Sequence, residues 1–266
     1  MSEAHPTIDD PPEGASTTLA AELGAAAGEE HLTAGRVARI ARLASTSARA
    51  AGARAVSSGR WLADTTIDVA GHVPVRDLDT LRAHHDGLSG ALLARPLIRN
   101  AALASGAVGA STGALAAASY STPLLWATLP VELAVETLLV VAIEMKLAGE
   151  LHEAAGYPVA HDLRRSGPLL ARAWAETRGI DPADLVRLAA PGQGAAAAAT
   201  ASEVLGRSAR DQLVQQVQRR LVRRTGRSAA SFVPLMVGAV AGAELNRRAT
   251  RRFGRTVART LHIPPP

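Results

Sequence analysis

The sequence predicts an all-α fold: a multi-helix bundle whose central helices are rich in glycine and alanine and closely packed, behind a disordered acidic N-terminal tail. Three observations carry that expectation. Hydrophobic residues fill 47% of the 266 positions but aromatics only 3%. Ala, Leu and Val must therefore build the core, a composition that favours helices over strands. Apolar residues recur at i, i+3, i+4 and i+7 along several stretches, the spacing of one helix face. Before Arg36 the chain carries Glu3, Asp9, Asp10, Glu13, Glu22, Glu29 and Glu30 with neither Lys nor Arg. Such an opening, with its prolines and weak apolar periodicity, reads as disordered.

A chain of this length suits one large domain or two small ones. The compositional break divides it into an acidic tail, 1–32, and a single helical domain, 33–262. The opening MSEAHPTIDDPPEG lacks the basic-then-apolar profile of a signal peptide, which predicts a cytoplasmic start.

Order is expected to begin near Thr33. Val37, Ile40, Ala41 and Ala44 mark one face of a basic amphipathic helix that runs to about Val69, with weak points at Gly52 and Gly59. A second helical stretch follows Pro74 and ends around Pro96, with Leu88, Leu92 and Leu93 among its apolar positions. From Ala101 to Val131 no residue is charged, enough in length for a bilayer span of about 20 residues. Only Leu103, Val108 and Leu115 are strongly apolar within 101–119, so insertion would be marginal. In the same stretch Ser105, Gly109, Gly113 and Ala117 repeat every fourth residue and place small side chains on one face. Gly238 and Gly242 offer a matching face, and such pairs let helix backbones approach closely. Tyr120 and Trp126 flank a Pro-containing loop, where amphipathic rings suit either a membrane interface or the cap of a packed core.

Pro130 suits a helix start and Gly156 its terminator. The helix between them, of about 25 residues or about 38 Å, reads as the centre of the bundle. Leu133, Thr137, Val140 and Ile143 trace its buried line, with Glu132, Glu136 and Glu144 on other faces. Shorter helices are expected at 162–178, 182–190, 197–205 and 208–225. An apolar helix at 229–244 and a basic one ending near Leu261 complete the chain.

Candidate chemistry is sparse. The chain has no Cys, which removes thiolate nucleophiles, disulfides and Cys-bound metal. Its one lysine, Lys146, lies between Met145 and Leu147 and cannot complete a phosphate-binding loop. Gly109-Ala-Ser111-Thr-Gly113 matches a nucleophile elbow but lacks the strand that must precede one. Gly192-Gln-Gly194 resembles a dinucleotide fingerprint, again without its strand. Glu132, Glu136 and Glu150 could serve a carboxylate-metal enzyme, yet the chain offers Glu150-Leu-His152 where such sites use Glu-x-x-His. His84-His85-Asp86 reads as a polar surface turn. No catalytic residue, metal or cofactor is expected.

The basic residues are more informative. Arg219, Arg220, Arg223 and Arg224 surround one predicted helix near the C-terminus. Arg248, Arg251, Arg252 and Arg255 flank a stripe of Leu245, Ala249, Phe253, Val257 and Leu261 on another. Basic amphipathic helices on either side of an uncharged run suit an anionic membrane surface, and nucleic acid or the acidic tail are the other anionic partners to weigh.

Two stretches, TLPVELAVETLLVVAIEMKLAGELHEAAGYPV (128–159) and SFVPLMVGAVAGAELNRRATRRFGRTVARTLH (231–262), resemble EcsC-like bacterial proteins. The likeness lies in a Leu-Pro-led helix ending in Gly, and in a Pro-xxx-Gly-Ala-xx-Gly-Ala segment with Asn246 soon after. That family is named for its neighbourhood to an ABC exporter and has no established catalytic residues. The resemblance implies a helical protein at or beside the membrane. The combined expectation is a non-enzymatic protein on the cytoplasmic side of the cell membrane, peripheral or shallowly inserted, which binds anionic lipid or a membrane-protein partner.

Overall fold

A helix that is apolar on one side belongs at a surface, whereas one that is apolar all round must be surrounded. The segment Leu129–Ala154 is nearer the second kind, with apolar residues on every side, interrupted by Glu132, Glu136, Glu144, Lys146, Glu150 and Glu153. In the computed structural model, which describes residues 13–29, 32–57, 60–119, 129–178 and 234–264, it forms the centre of the bundle. In chain order the helices are α1 (Glu13–Ala27), α2 (Ala34–Ser57), α3 (Arg60–Ala70), α4 (Leu78–His84), α5 (Gly90–Ser119), α6 (Leu129–Ala154), α7 (Leu163–Arg178) and α8 (Pro234–Thr260). Among the described residues there is no strand, and the fold is all-α.

α6 packs against every other described helix. Val135, Leu138, Leu139, Ala142, Met145, Leu147, Ala148 and Leu151 are all buried along it. Burying one Leu side chain contributes roughly 1.5–3 kcal/mol, so this helix alone supplies a large part of the driving force for folding.

The expected disordered tail is corrected over part of its length. Residues 13–27 form α1, and Leu19, Ala20, Leu23 and Ala26 are buried against α2, α3 and α6. The apolar signal is thin because alanines supply most of that face. Gly24 lies where a Cβ would fall 2.6 Å from the His72 carbonyl carbon, so α1 sits directly on the backbone that ends α3. Two carboxylates of this region, Glu22 and Glu29, pair with Arg36 of α2 at 3.4 and 2.5 Å. Those acids serve α2 and not the basic C-terminal helix.

Gly52 bends α2 with φ 84°, at one of the two weak points foreseen; the other, Gly59, lies outside the described residues. Asp77 caps α4 by accepting from the Thr80 N–H at 2.7 Å. A turn with Asp86 at φ 52° and Gly87 at φ 75° then leads to α5.

Pro96 was expected to end a helix, but α5 runs through it. The lost bond would have gone to the carbonyl of Leu92, an exposed position where water can take the donor's place. The C-terminal pair of helices expected at 229–244 and beyond is likewise one continuous helix, α8. The helices expected at 182–190, 197–205 and 208–225, and the Gly192–Gly194 loop, lie outside the described residues.

Candidate anionic-surface site

The site is built on the contact between α5 and α8. Thr250 meets Ser105, Gly254 meets Ile98, and Gly242 meets Gly109, so the two helices run antiparallel. At the crossing a Cβ on either Gly109 or Gly242 would collide with the other glycine's carbonyl oxygen. Only a residue without a side chain fits there. Gly106 extends the approach, with the Ala243 carbonyl oxygen 3.3 Å from its notional Cβ. Of the small residues singled out by spacing, the structure thus brings together Ser105, Gly109 and Gly242. Gly113 and Ala117 continue α5 and Gly238 lies in α8, but their surroundings are outside the described residues. Ser105 acts through its hydroxyl as well as its size.

Gly109-Ala-Ser111-Thr-Gly113 lies inside continuous helix, where Ser111 Oγ donates to the Val108 carbonyl at 2.9 Å. It has neither the strand nor the sharp turn that exposes a nucleophile.

The inner face of α8 is Gly242, Thr250, Phe253, Gly254, Val257 and Ala258. This corrects the expected apolar stripe. Steps of four residues advance 400° around a helix, 40° past a full turn. A stripe of such steps therefore drifts, and Leu245 at its start is 45% exposed while Phe253 and Val257 are buried. The outer face follows a different line, Leu245, Arg248, Arg252, Arg255 and Arg259, stepping by three and four; all are exposed. Arg251 stands beside it, half-buried.

α8 carries six arginines against one acid, Glu244, and the antiparallel α5 adds exposed Arg95 and Arg99 with no acid. Glu244 pairs with Arg248 at 2.6 Å and Arg247 at 3.4 Å. The hydrogen bond from Arg248 holds its carboxyl below the ordinary 4.5. Arginine stays protonated throughout the physiological range, so the excess of six arginines over this one carboxylate persists there. Arg219, Arg220, Arg223 and Arg224 lie outside the described residues.

Behind this surface runs a column of buried carboxylates on α6, which corrects the expectation that Glu136 and Glu144 lie off the helix's buried line. Glu136 accepts from Asn246 Nδ2 at 2.9 Å. Glu144, 0% exposed, accepts from Trp174 Nε1 at 3.0 Å, from Arg178 Nε at 3.2 Å and from Arg178 Nη2. Thr250 Oγ1 lies 3.0 Å from Glu144 and 2.8 Å from Ser105 Oγ. Because a carboxylate only accepts, Thr250 donates to Glu144 and takes its own bond from Ser105. Arg178 also stacks 5.6 Å over the Phe253 ring. One carboxylate thereby fastens α5, α7 and α8 to α6.

One to two turns on, Glu150 receives Arg76 Nε and Nη2 at 2.7 and 3.1 Å, and Lys146 Nζ as well. Burial pulls the Lys146 ammonium below its ordinary value, against the pull of Glu150. Burial, together with the nearby Arg76 charge, likewise lowers the His85 imidazole. Glu153 accepts from the N–H groups of Val159 and Ala160 at 2.6 and 2.7 Å and so ties the chain after α6 to that helix.

None of this resembles a metal centre. Glu136 and Glu150 are separated by about 21 Å along the helix axis, Glu132 lies outside the described side chains, and among the described residues no group of three or more His, Asp or Glu is placed to hold an ion. Of the expected surface turn His84-His85-Asp86, His84 ends α4 and Asp86 lies in the turn after it, both exposed, whereas His85 between them is half-buried; His84 Nδ1 lies 2.7 Å from the Thr80 carbonyl. Sequence reading missed the buried column; the partners of Glu136 and Glu144 come from 30 to 110 residues away. Among the described residues no helix is long and apolar enough to cross a membrane. Comparison of the chain with protein-family models, with curated proteins and with solved structures finds no match.

Proposed function

We infer that this protein docks on an anionic membrane surface through the arginine face of α8, as a helical adaptor without chemistry of its own. The observation that carries the reading is the continuous outer stripe Arg248, Arg252, Arg255 and Arg259, with Leu245 at its head and Arg95 and Arg99 on the neighbouring helix. Each arginine held near an anionic leaflet contributes about 1 kcal/mol, so several together give useful affinity. The buried glutamates of α6 are engaged with Asn246, Arg178, Arg76 and Lys146, which supports a structural role for them. The likeness of 128–159 and 231–262 to EcsC-like proteins points the same way and is part of this proposal, as is a place on the cytoplasmic side of the membrane. Nucleic acid is the less favoured partner: base stacking needs exposed aromatic faces, and Phe253, the aromatic of the α8 stripe, is buried.

Flotation with phosphatidylglycerol vesicles, phosphatidylcholine vesicles and duplex DNA tests the reading. Binding to the first, weak binding to the second and little to the third is expected. Equal binding to both vesicle types, or preference for DNA, would defeat it.

A further inference from the structure

Two lines of arginine run side by side along the outer rim of the contact between α5 and α8. Gly106 marks that rim on α5, with its notional Cβ 3.6 Å from Arg247 Cβ. Arg99 and Arg95 precede Gly106 by seven and eleven residues, which at about 100° per residue puts both within about 20° of its direction. On α8, Arg251 follows Arg247 by one turn and is rotated about 40° toward solvent, and Arg255 about 80°. The contacts of Ile98 with Gly254 and of Ser105 with Thr250 set the register. Arg99 is therefore about level with Phe253, between Arg251 and Arg255, and Arg95 stands a turn further on. Four arginines thus border one groove between helices whose axes lie about 8–10 Å apart.

These arginines are short of partners. Arg251 is half-buried, and Arg247 Nε is buried and makes no hydrogen bond, with Glu244 Oε2 3.4 Å away. Among the described residues no carboxylate pairs with Arg95, Arg99, Arg251 or Arg255. Glu244, two turns before Arg251, is itself bonded to Arg248. Partly desolvated like charges without a counter-ion are costly, and an anion in the groove offsets that cost. The groove also has an apolar border, because Leu92 and Leu103, 60% and 50% exposed, stand about one turn before Arg95 and one turn after Arg99. A free phosphate has no use for those leucines, whereas a lipid brings an apolar body beside its charged head.

We propose that the groove between α5 and α8 is a headgroup site for a lipid phosphomonoester, of which phosphatidate is the simplest, held by Arg95, Arg99, Arg251 and Arg255. The proposal rests on the surface reading above and adds which anionic lipid is preferred. A phosphodiester headgroup such as that of phosphatidylglycerol carries a single charge and two terminal oxygens, which one or two guanidinium groups satisfy. A phosphomonoester has three terminal oxygens and a charge of about −1.5 to −2 at neutral pH. Guanidinium forks bind such a group in bidentate pairs. Four arginines converging from two helices match the second kind of headgroup and exceed what the first can use.

Flotation with phosphatidylcholine vesicles that carry either phosphatidylglycerol, or half as much phosphatidate so that surface charge is matched, tests the site. Wild type should prefer phosphatidate about tenfold, the worth of one further charge-assisted hydrogen bond. R99Q/R251Q should bring that ratio close to unity. R42Q/R49Q, an equal loss of charge at exposed positions of α2, should leave the ratio as in wild type. Circular dichroism checks the fold, and R99Q alone, at an exposed position, should lower the ratio in the same direction if the double variant unfolds. No preference in wild type, or a preference that survives R99Q/R251Q, overturns the headgroup site while the surface reading stands. Displacement from phosphatidate vesicles by glycerol 3-phosphate at a concentration comparable to the lipid also overturns it, since the groove would then take the free phosphomonoester. If the protein floats with neither anionic vesicle, both readings fall.

Discussion

Gly242→Ala is the sharpest perturbation of the helix crossing on which the arginine face is mounted. On an open helix the change would stabilise the protein by up to about 1 kcal/mol, because alanine loses less backbone entropy on folding. At this position the added methyl would strike the Gly109 carbonyl oxygen, with the carbonyl carbon only 3.1 Å away. Both obstacles are backbone, so no side chain can swing aside, and α5 and α8 must separate along much of their shared length. Overpacking typically costs about 1–3 kcal/mol, and the rigidity here puts the change at the upper end. Subtracting the propensity gain leaves a net loss of about 2 kcal/mol, or a fall in Tm of about 4–8 °C for a chain of this size. Gly35→Ala is the control, since nothing lies within 4 Å of its notional Cβ, and it should leave Tm unchanged or slightly raised. Thermal melting followed by far-ultraviolet circular dichroism reads both variants. If Gly242→Ala were as stable as Gly35→Ala, the close backbone approach would be refuted.

Three further outcomes follow from the carboxylate column and the cap. Glu144→Ala leaves Arg178 without its partner in a part-buried setting and should cost about 3–5 kcal/mol, read as a shifted urea midpoint. Lys146→Met should change stability by less than about 1.5 kcal/mol, because Arg76 still holds Glu150 with two hydrogen bonds and a methionine fills the space without a desolvated charge; a loss as large as that of Glu144→Ala would contradict the reasoning. The Thr80 N–H holds the Asp77 carboxyl below its ordinary 3.8. That contribution is present above pH 3.8 and is lost as pH falls through the lowered folded value. The stability gap between wild type and Asp77→Ala should therefore shrink on acidification below that point, and a gap that widens there would be inconsistent with the cap.

The central features of the fold could be read because they are local or repetitive. The stretch Val135–Leu151 carries apolar residues on every side between its four charges, so its place at the centre could be read from the helical period. Small residues four apart at Ser105 and Gly109 marked a contact face without naming its angle. What escaped reading depends on partners brought from afar. Glu144 looks like any surface glutamate until Trp174, Arg178 and Thr250 are folded around it, and nothing near it in sequence announces them. α1 escaped because its buried face is mostly alanine beside an acidic opening. Leu245 was misplaced by a geometric drift: five positions stepped by four span nearly half the helix circumference, so one stripe cannot be buried throughout. Arg248, Arg252 and Arg255 are exposed, as arginine usually is, whereas Arg251, singled out with them, is half-buried.

The most direct test of membrane docking compares wild type with R248Q/R252Q/R255Q in partitioning onto vesicles of increasing phosphatidylglycerol content. At about 1 kcal/mol per arginine, removing three should weaken partitioning about 100-fold at high anionic content, and the dependence on lipid charge should flatten. Circular dichroism should be unchanged, because all three side chains are exposed. Unaltered partitioning of the folded triple variant would contradict the assignment of α8 as the docking face.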